Sequence, residues 1–384
     1  MDFQLSEEQQ ALADSVKRFA KAKLADGALA RAHDPRFSWD VARMLAEQGL
    51  LGITASEADG GQGGTLMDAV IAIQEMAMVC PKSADIVQAG NFGPIRTFIE
   101  YASAEQKARF LPDLLAGRLL ISLGMSEPEA GSAVTDLTTS ARQDGDDYVI
   151  NGGKVFGTHS GDANLFLIYV RYGPGTDGIG SVLIERDTPG FTLGPPSAFM
   201  SGEEWRQLYF DNCRIPAKNV LLGKGGFKKQ IAGFNIERIG NSSRALAVGR
   251  HAFEVARDHL LTRKQFGRPL AEFQGLQWKF AEIAVDLDSA QLLLYRAATN
   301  ADRGLPSAYE TSVAKLACNQ AGFKAANEAV QAMGAMGYSQ ESLVEYCFRR
   351  TRGWMIAGGS LEILKNRIAE DVFGRRFDQR PPRS

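Results

Sequence analysis

Cysteine and histidine are scarce in this chain, which has four of each among 384 residues. The four cysteines are far apart in the sequence: Cys80, Cys213, Cys318 and Cys347. No pair has Cys-x-x-Cys spacing, so the pattern excludes a disulfide framework and a cysteine-based metal site. His251 and His259 could share one helix face, but no third ligand accompanies them. We therefore expect no metal centre and four thiols in a reducing compartment.

The chain also lacks a strong net charge and a long apolar run. Its 43 basic and 45 acidic side chains give a net charge of −2, which predicts no general attraction to nucleic acid or to an anionic membrane surface. No stretch approaches the roughly 18 uninterrupted apolar residues of a membrane span. The first residues show no basic-then-apolar signal pattern. We expect a cytoplasmic protein.

The length and the hydrophobic pattern predict an α+β protein of three domains. Capping boxes at Ser6–Gln9 and Ser103–Gln106 begin two helices, and apolar residues at helical spacing predict two more, over 41–48 and 67–79. Short Val, Ile and aromatic runs then predict strands, including 165–171 and 181–185. Long helices follow, at about 228–262, 271–303, 307–334 and 361–373. We predict an N-terminal helical domain (1–120), a central β domain (121–227) and a C-terminal helical bundle (228–384).

The stretch 123–158 is the strongest candidate for a binding site. Its loop Ser126-Glu127-Pro128-Glu129-Ala130-Gly131-Ser132 is rich in turn residues that let a ligand approach the backbone N–H groups. Asn151-Gly152 between apolar positions predicts a hairpin turn that joins two strands. The loop and the hairpin would form one edge of a site. The same pattern also occurs in β domains that bind no ligand.

The run MSEPEAGSA, the later DGDDYVINGGK and Phe156-Gly157-Thr158 together resemble the flavin-binding segment of the acyl-CoA dehydrogenase family. The resemblance extends to the helix, β and helix-bundle layout of nearly the whole chain, with a β-barrel-like central domain and a C-terminal four-helix bundle. It implies FAD as the cofactor. It also implies these cofactor-binding residues: Leu123, Met125, Ser126, Gly131, Ser132, Phe156 and Thr158.

Two C-terminal segments, RKQFGRP at 263–269 and the run from Gln331 to Tyr338, resemble further signatures of that family. In the family they come from a neighbouring subunit and hold the pyrophosphate and adenine end of the flavin, so the resemblance implies a homotetramer or homodimer. The resemblance implies that the following residues bind FAD: Arg263, Gln265, Phe266, Gln331, Gly334 and Ala335. We also predict FAD contacts from Ser360 and Glu362. The alternative for Arg263 is a solvated cation at a helix end.

The catalytic base marks a departure from the usual pattern of the family. Many members carry it in a Tyr-Glu-Gly-Thr segment, where this chain has Gly358 in place of the glutamate. In the isovaleryl-CoA and long-chain branches, and in crotonobetainyl-CoA reductase-like relatives, the base stands at the position of Glu237. The resemblance thus implies Glu237 as the base and the backbone N–H of Gly358 as an oxyanion donor. The alternative for Glu237 is an ordinary ion pair on a helix.

The implied activity is FAD-dependent α,β-dehydrogenation of an acyl-CoA or acyl-carrier thioester in fatty acid metabolism, with an electron-transferring flavoprotein as partner. Residues 85–96 should form a helix near the acyl pocket, and we predict substrate contacts from Ser132, Phe234, Arg238 and Asp85. Ala133 stands where most members have Asp, a change shared by 3-sulfinopropionyl-CoA desulfinases. Desulfination, enoyl-CoA reduction and a non-catalytic binding protein on the same fold therefore remain as alternatives.

Overall fold

The computed structural model describes residues 4–304 and 307–379, which divide into two compact units. The first unit comprises residues 5–234, and the second comprises the described residues from 235 onwards together with Gln4. No helix in the described ranges is long and apolar enough to cross a membrane.

The first unit opens with helices whose beginnings are set by side-chain caps. Ser6, Thr65 and Ser103 each accept a hydrogen bond from the backbone three residues on and complete a capping box, so the two boxes predicted from the sequence are confirmed. The α-helices are α1 (Glu7–Lys23), α2 (Ala28–His33), α3 (Trp39–Glu47), α4 (Leu66–Ala77), α5 (Pro81–Ala89), α6 (Pro94–Tyr101) and α7 (Ala104–Leu115).

The expected helix over residues 85–96 is wrong, because two helices meet inside that range. Helix α5 ends before Gly90, and Gly93 has a φ of +71°, a conformation that interrupts a right-handed helix. Pro94 then begins α6 in the position where a missing N–H is tolerated. Asp85 therefore belongs to α5, whereas Arg96 belongs to α6.

A nine-stranded mixed sheet follows the helices. Its strands are β1 (Ile121–Gly124), β2 (Ser140–Asp144), β3 (Asp147–Thr158), β4 (Leu165–Arg171), β5 (Ile179–Glu185), β6 (Phe191–Leu193), β7 (Ser197–Ala198), β8 (Glu204–Pro216) and β9 (Val220–Leu222). The order is β6-β8-β3-β2-β4-β5-β9, with β1 parallel to β4 and β7 beside β8. One face packs on α6 and α7 through buried residues that include Phe98, Phe110 and Leu167.

The predicted hairpin turn at Asn151-Gly152 is wrong. Strand β3 runs straight through these residues, and the tight turn lies earlier, at Gly145-Asp146, where β2 and β3 pair. The pairing of β3 with β8 shifts register between Ile150 and Gly152, so the glycine marks a bulge. Gly152 has a φ of +136°, and an added Cβ would lie 2.7 Å from the Cα of Thr139. Glycine is required here by close backbone approach and not by a turn.

The second unit is helical, and the four long helices predicted from the sequence are confirmed. Its elements are α8 (Phe227–Thr262, which begins in the first unit), β10 (Lys264–Gln265), β11 (Arg268–Pro269), α9 (Gln274–Ala301), α10 (Ala308–Met333), α11 (Ala335–Tyr338), α12 (Leu343–Trp354) and α13 (Leu361–Val372). Ile283, Leu287 and Leu294, which are spaced to share one face of α9, are buried. Helix α12 was not predicted.

Candidate functional site

The loop of residues 126–133 follows β1 and is held in place by a buried ion pair. Lys154, fully buried in β3, donates to Oε1 of Glu127 at 2.7 Å and to the carbonyl of Met125 at 3.2 Å. Glu127 also accepts the N–H groups of Thr138 and Thr139. Burial opposes ionisation of Glu127, but the Lys154 ammonium and these donors hold the pKa of the carboxyl down to about 2. The pair ties the start of the loop to β3 and to residues 138–139, and the sequence had given no indication of it.

The outer part of this loop presents unused backbone donors. Gly131, Ser132 and Ala133 are exposed, and within the described residues their N–H groups donate to no backbone carbonyl. An added Cβ at Gly131 would meet no heavy atom within 4 Å. Val155 donates to the carbonyl of Ser126 at 2.9 Å, which ties the loop to β3. These free N–H groups suit an anionic or carbonyl-bearing ligand.

The end of β3 carries an exposed aromatic side chain in an unusual conformation. Phe156 is 57% exposed with a φ of +63°, which is uncommon for a bulky residue and marks a constrained position. Its ring lies 4.7 Å from that of Trp205 and 6.4 Å from that of Phe199. Neither partner could be found from the sequence, because Trp205 comes from β8 and Phe199 from the loop before it. The three rings are inclined to one another and form an apolar aromatic cluster against which a ring system could pack.

Thr158 lies beside β1, because the hydroxyl of Ser122 donates to its carbonyl at 3.1 Å. Leu123 and Met125 are half-buried and pack against the core below. The first unit therefore places Leu123, Met125, Ser126, Phe156 and Thr158 around the ends of β1 and β3, and Gly131 and Ser132 on the exposed part of the 126–133 loop.

In the second unit, Glu237 lies on α8 among cationic side chains. Its Oε1 is 3.8 Å from Nη2 of Arg244, and the carboxylate is 18% exposed. Arg238 donates to the side-chain oxygen of Asn235 at 2.9 Å, and its burial, together with the charge of Arg367, lowers its pKa to about 10. Glu237 is thus a sheltered carboxylate that remains partly accessible.

Residues 355–359, which we call the 355–359 turn, join α12 to α13. Gly358 and Gly359 have φ values of +73° and +94°. Within the described residues, the N–H of Gly358 donates to no backbone carbonyl and is available to a ligand. An added Cβ at Gly359 would lie 3.9 Å from Nη2 of Arg238. The turn and the Glu237 region of α8 therefore meet at Arg238.

Lys315 of α10 lies beneath this turn, and sequence analysis missed it. Its Nζ donates to the carbonyls of Trp354 at 3.2 Å and Gly359 at 2.9 Å. Burial, Arg238 and Arg244 lower the pKa of Lys315 to about 7, against the opposing charge of Glu237. Its burial could have been suspected from one pattern: Lys315 lies three residues before Cys318, so the two residues share one helix face.

The other predicted cofactor residues of this unit lie on its surface. Arg263, Gln265 and Phe266 are exposed around the β10–β11 hairpin, where Phe266 is 94% exposed with a φ of +52°. Gln331, Gly334 and Ala335 are exposed where α10 gives way to α11. Ser360 caps α13, and the backbone N–H groups at the start of this helix, together with the Ser360 hydroxyl, lower the pKa of Glu362. None of these residues has a described contact with Glu237.

Three of the four predicted substrate residues, Asp85, Ser132 and Phe234, lie within the first unit. Asp85 is buried in α5, and Phe234 packs against the core beneath the sheet. Neither has a described contact with the 126–133 loop, to which Ser132 belongs. In the described part of the chain, no group of three or more His, Cys, Asp or Glu side chains could hold a metal ion.

Comparison with protein-family models matches three successive parts of the chain. Residues 6–118 match the acyl-CoA dehydrogenase N-terminal domain, residues 122–213 the middle domain, and residues 224–373 the C-terminal domain. Together these matches cover most of the chain.

Individual relatives extend the likeness over full length. The chain is 32% identical to 3-sulfinopropanoyl-CoA desulfinase of Paraburkholderia xenovorans strain LB400, over 98% of this chain and 99% of the relative. It is also 32% identical to an acyl-CoA dehydrogenase of Bacillus subtilis strain 168, over 96% and 99%. The solved structure of butyryl-CoA dehydrogenase from Megasphaera elsdenii matches with a TM-score of 0.91 at 28% identity, over 97% and 100%. The chain therefore belongs to the acyl-CoA dehydrogenase family, a family of FAD-dependent oxidoreductases.

Proposed function

We propose that this protein dehydrogenates an acyl thioester, with Glu237 as the base that removes the α-proton and the N–H of Gly358 as a donor to the thioester oxygen. The observation that carries the proposal is the meeting of the 355–359 turn with α8 at Arg238. It associates a sheltered carboxylate with a free backbone donor within one unit.

The chemistry explains why both groups are needed. A thioester α-proton is too weakly acidic for a solvated carboxylate to remove, so the base must be sheltered and the enolate stabilised. Glu237 is largely withdrawn from solvent. The guanidinium groups of Arg238 and Arg244 outnumber it, so negative charge that forms on the substrate oxygen enters a positive field.

The residues around β1 and β3 fit FAD as the cofactor. Free N–H groups at 131–133 suit the polar edge of a flavin, and the exposed Phe156 suits its ring. Leu123, Met125, Ser126 and Thr158 would complete the binding surface. Bound FAD would supply the acceptor for the hydride that leaves the β-carbon.

We infer that Arg263, Gln265, Phe266, Gln331, Gly334 and Ala335 bind the adenine end of a flavin held by a second copy of the chain. Support comes from their exposure and from the left-handed backbone of Phe266, which holds an apolar ring out into solvent. This assignment makes the protein a homo-oligomer, either a dimer or a tetramer. We also propose Ser360 and Glu362, at the start of α13, as FAD contacts.

The electron acceptor and the acyl group belong to the proposal as well. One matching solved structure is reported in work on the electron transferring flavoprotein of Acidaminococcus fermentans, and we propose a partner of that kind. Arg238, beside Glu237 in the second unit, is the residue that we propose as a thioester contact. Ser132, Asp85 and Phe234 stay predictions for substrate contacts of the first unit. A polar or short branched acyl group, on coenzyme A or on a carrier protein, is the substrate class that we propose.

Desulfination is the second candidate function. Ala133 removes a carboxylate beside the 126–133 loop, and a desulfinase is among the 32% identical relatives. A desulfinase releases sulfite from 3-sulfinopropanoyl-CoA without net oxidation. Sulfite release with no reduction of an electron acceptor would favour this function over dehydrogenation.

Exchange of the substrate α-proton for deuterium tests Glu237 directly. In D₂O, the wild-type protein should catalyse this exchange on an acyl-CoA, and Glu237→Gln should reduce the rate by about 10³-fold or more, because an amide cannot accept the proton. The matched control is Glu254→Gln on the same helix, which should keep the wild-type rate. Near-wild-type exchange in the Glu237 variant would refute the assignment.

A further inference from the structure

Lys315 is a buried cation to which the proposed dehydrogenation gives no role. Its side chain is fully buried in α10, and in the described part of the chain no carboxylate lies within ion-pair distance of its Nζ. The ammonium donates to two backbone carbonyls instead. Burying a lysine without a carboxylate partner is unfavourable, so the position invites a functional explanation.

The two carbonyls bracket the 355–359 turn. Trp354 is the last residue of α12, and Gly359 directly precedes Ser360, the N-cap of α13. Gly358 and Gly359, the last two residues of the turn, both adopt positive φ values. Paired glycines leave a turn with many accessible conformations, so external hydrogen bonds are needed to select one of them.

The alkyl stem of Lys315 also lies near the turn. Its Cε would lie 3.6 Å from a Cβ added at Gly358, so a side chain at that position would touch the lysine. The lysine thus holds the two ends of the turn through two hydrogen bonds. Its charged neighbours are Glu237, Arg238 and Arg244, all on α8.

We propose that Lys315 is a positioning residue, which holds the 355–359 turn in the conformation that directs the N–H of Gly358 towards the thioester oxygen. The inference deepens the proposed function and rests on the oxyanion role of Gly358. If Lys315 has this role, loss of its two hydrogen bonds releases the turn and weakens stabilisation of the enolate. Binding of the thioester in its ground state should change little.

The test compares Lys315→Met with Lys324→Met. Lys324 is nine residues further along α10, is exposed and pairs with Asp286 of α9, so it controls for a lysine-to-methionine change on the same helix. Hydrogen–deuterium exchange of peptides covering 353–361 reports on the turn. The rate of α-proton exchange on an acyl-CoA and the KM report on the chemistry.

In the Lys315→Met variant we expect faster amide exchange at 355–359, an α-proton exchange rate lower by about 10- to 100-fold, and a KM within about threefold of wild type. The control variant should match wild type in all three. Unchanged amide exchange at 355–359, or a rise in KM with no loss of α-proton exchange, would overturn the proposal.

Folding of the variants is checked by circular dichroism. If the methionine variant does not fold, Lys315→Gln, which keeps one N–H donor and removes the charge, takes its place. If neither variant folds, Lys315 serves the stability of the bundle and the proposal fails. A wild-type protein that exchanges no α-proton would refute the proposed function, yet the amide-exchange comparison would still report whether Lys315 holds the turn.

Discussion

Glu127→Gln should be among the most disruptive single substitutions near the 126–133 loop. It removes the carboxylate charge but keeps the size of the side chain, so the ammonium of Lys154 remains fully buried without a counter-charge. Glutamine has one side-chain oxygen in place of two, so it can accept only some of the hydrogen bonds that Thr138 and Thr139 donate to Glu127.

Removing one member of a buried ion pair costs about 3–5 kcal/mol of unfolding free energy. For a unit of this size, each kcal/mol lowers the melting temperature by about 2–4 °C, so we expect a loss of roughly 6–20 °C at neutral pH. The loss should shrink as the pH rises. Burial already lowers the pKa of Lys154 to about 8 beside Glu127, and without the carboxylate the amine deprotonates more readily in the folded state.

The assay is thermal unfolding by circular dichroism at about pH 6 and about pH 9, together with the FAD content of the purified protein. Glu129→Gln is the matched control, since Glu129 is an exposed carboxylate of the same loop. The double variant Glu127→Gln/Lys154→Met should recover part of the stability, because it removes both members of the pair. A melting temperature for Glu127→Gln within about 2 °C of the control would refute the reasoning.

Three further predictions follow from the described geometry. Gly152→Ala should lower the unfolding free energy by about 1–3 kcal/mol in urea denaturation, because the new Cβ meets Thr139 at a strained φ. Gly131→Ala, with open space around its Cβ, should leave the apo-protein's melting temperature unchanged but weaken FAD binding by about tenfold in a cofactor titration. The unfolding free energy of wild type relative to Lys315→Met should rise between about pH 7 and pH 10.5, by up to about 1.4 kcal/mol per pH unit. The reason is that Lys315 keeps its proton in the unfolded state over this range but loses it in the folded state. If urea denaturation at a series of pH values gives the same difference throughout, the lowered pKa of Lys315 is contradicted.

Helices whose start or length is determined by neighbouring residues could be predicted from the sequence. The Ser6 and Ser103 capping boxes identified two helix beginnings, and the 228–262 helix was found from its length and lack of breaks. The hairpin turn predicted at Asn151-Gly152 was wrong because this dipeptide occurs both in turns and in β-bulges. Which of the two forms depends on contacts distant in the sequence, here the close approach of the Thr139 backbone to Gly152.

The candidate site could be predicted only in part for a similar reason. Glu237 and Gly358 were identified through resemblance, whereas Lys154 and Lys315 were overlooked because lysine is ordinarily a surface residue. Their burial arises from packing against strands or helices distant in the sequence: Lys154 meets Glu127, and Lys315 meets Gly359. No local pattern encodes those pairings.

The most direct test of acyl thioester dehydrogenation is an anaerobic visible spectrum of the purified protein, recorded before and after addition of short, branched, polar and long acyl-CoAs. We predict a yellow protein whose oxidised-flavin band is bleached by a polar or short branched acyl-CoA, and no bleaching in the Glu237→Gln variant. A yellow wild-type protein that no acyl thioester bleaches, on coenzyme A or on a carrier protein, would contradict the proposed reaction. Equal bleaching of wild type and variant would contradict the role of Glu237.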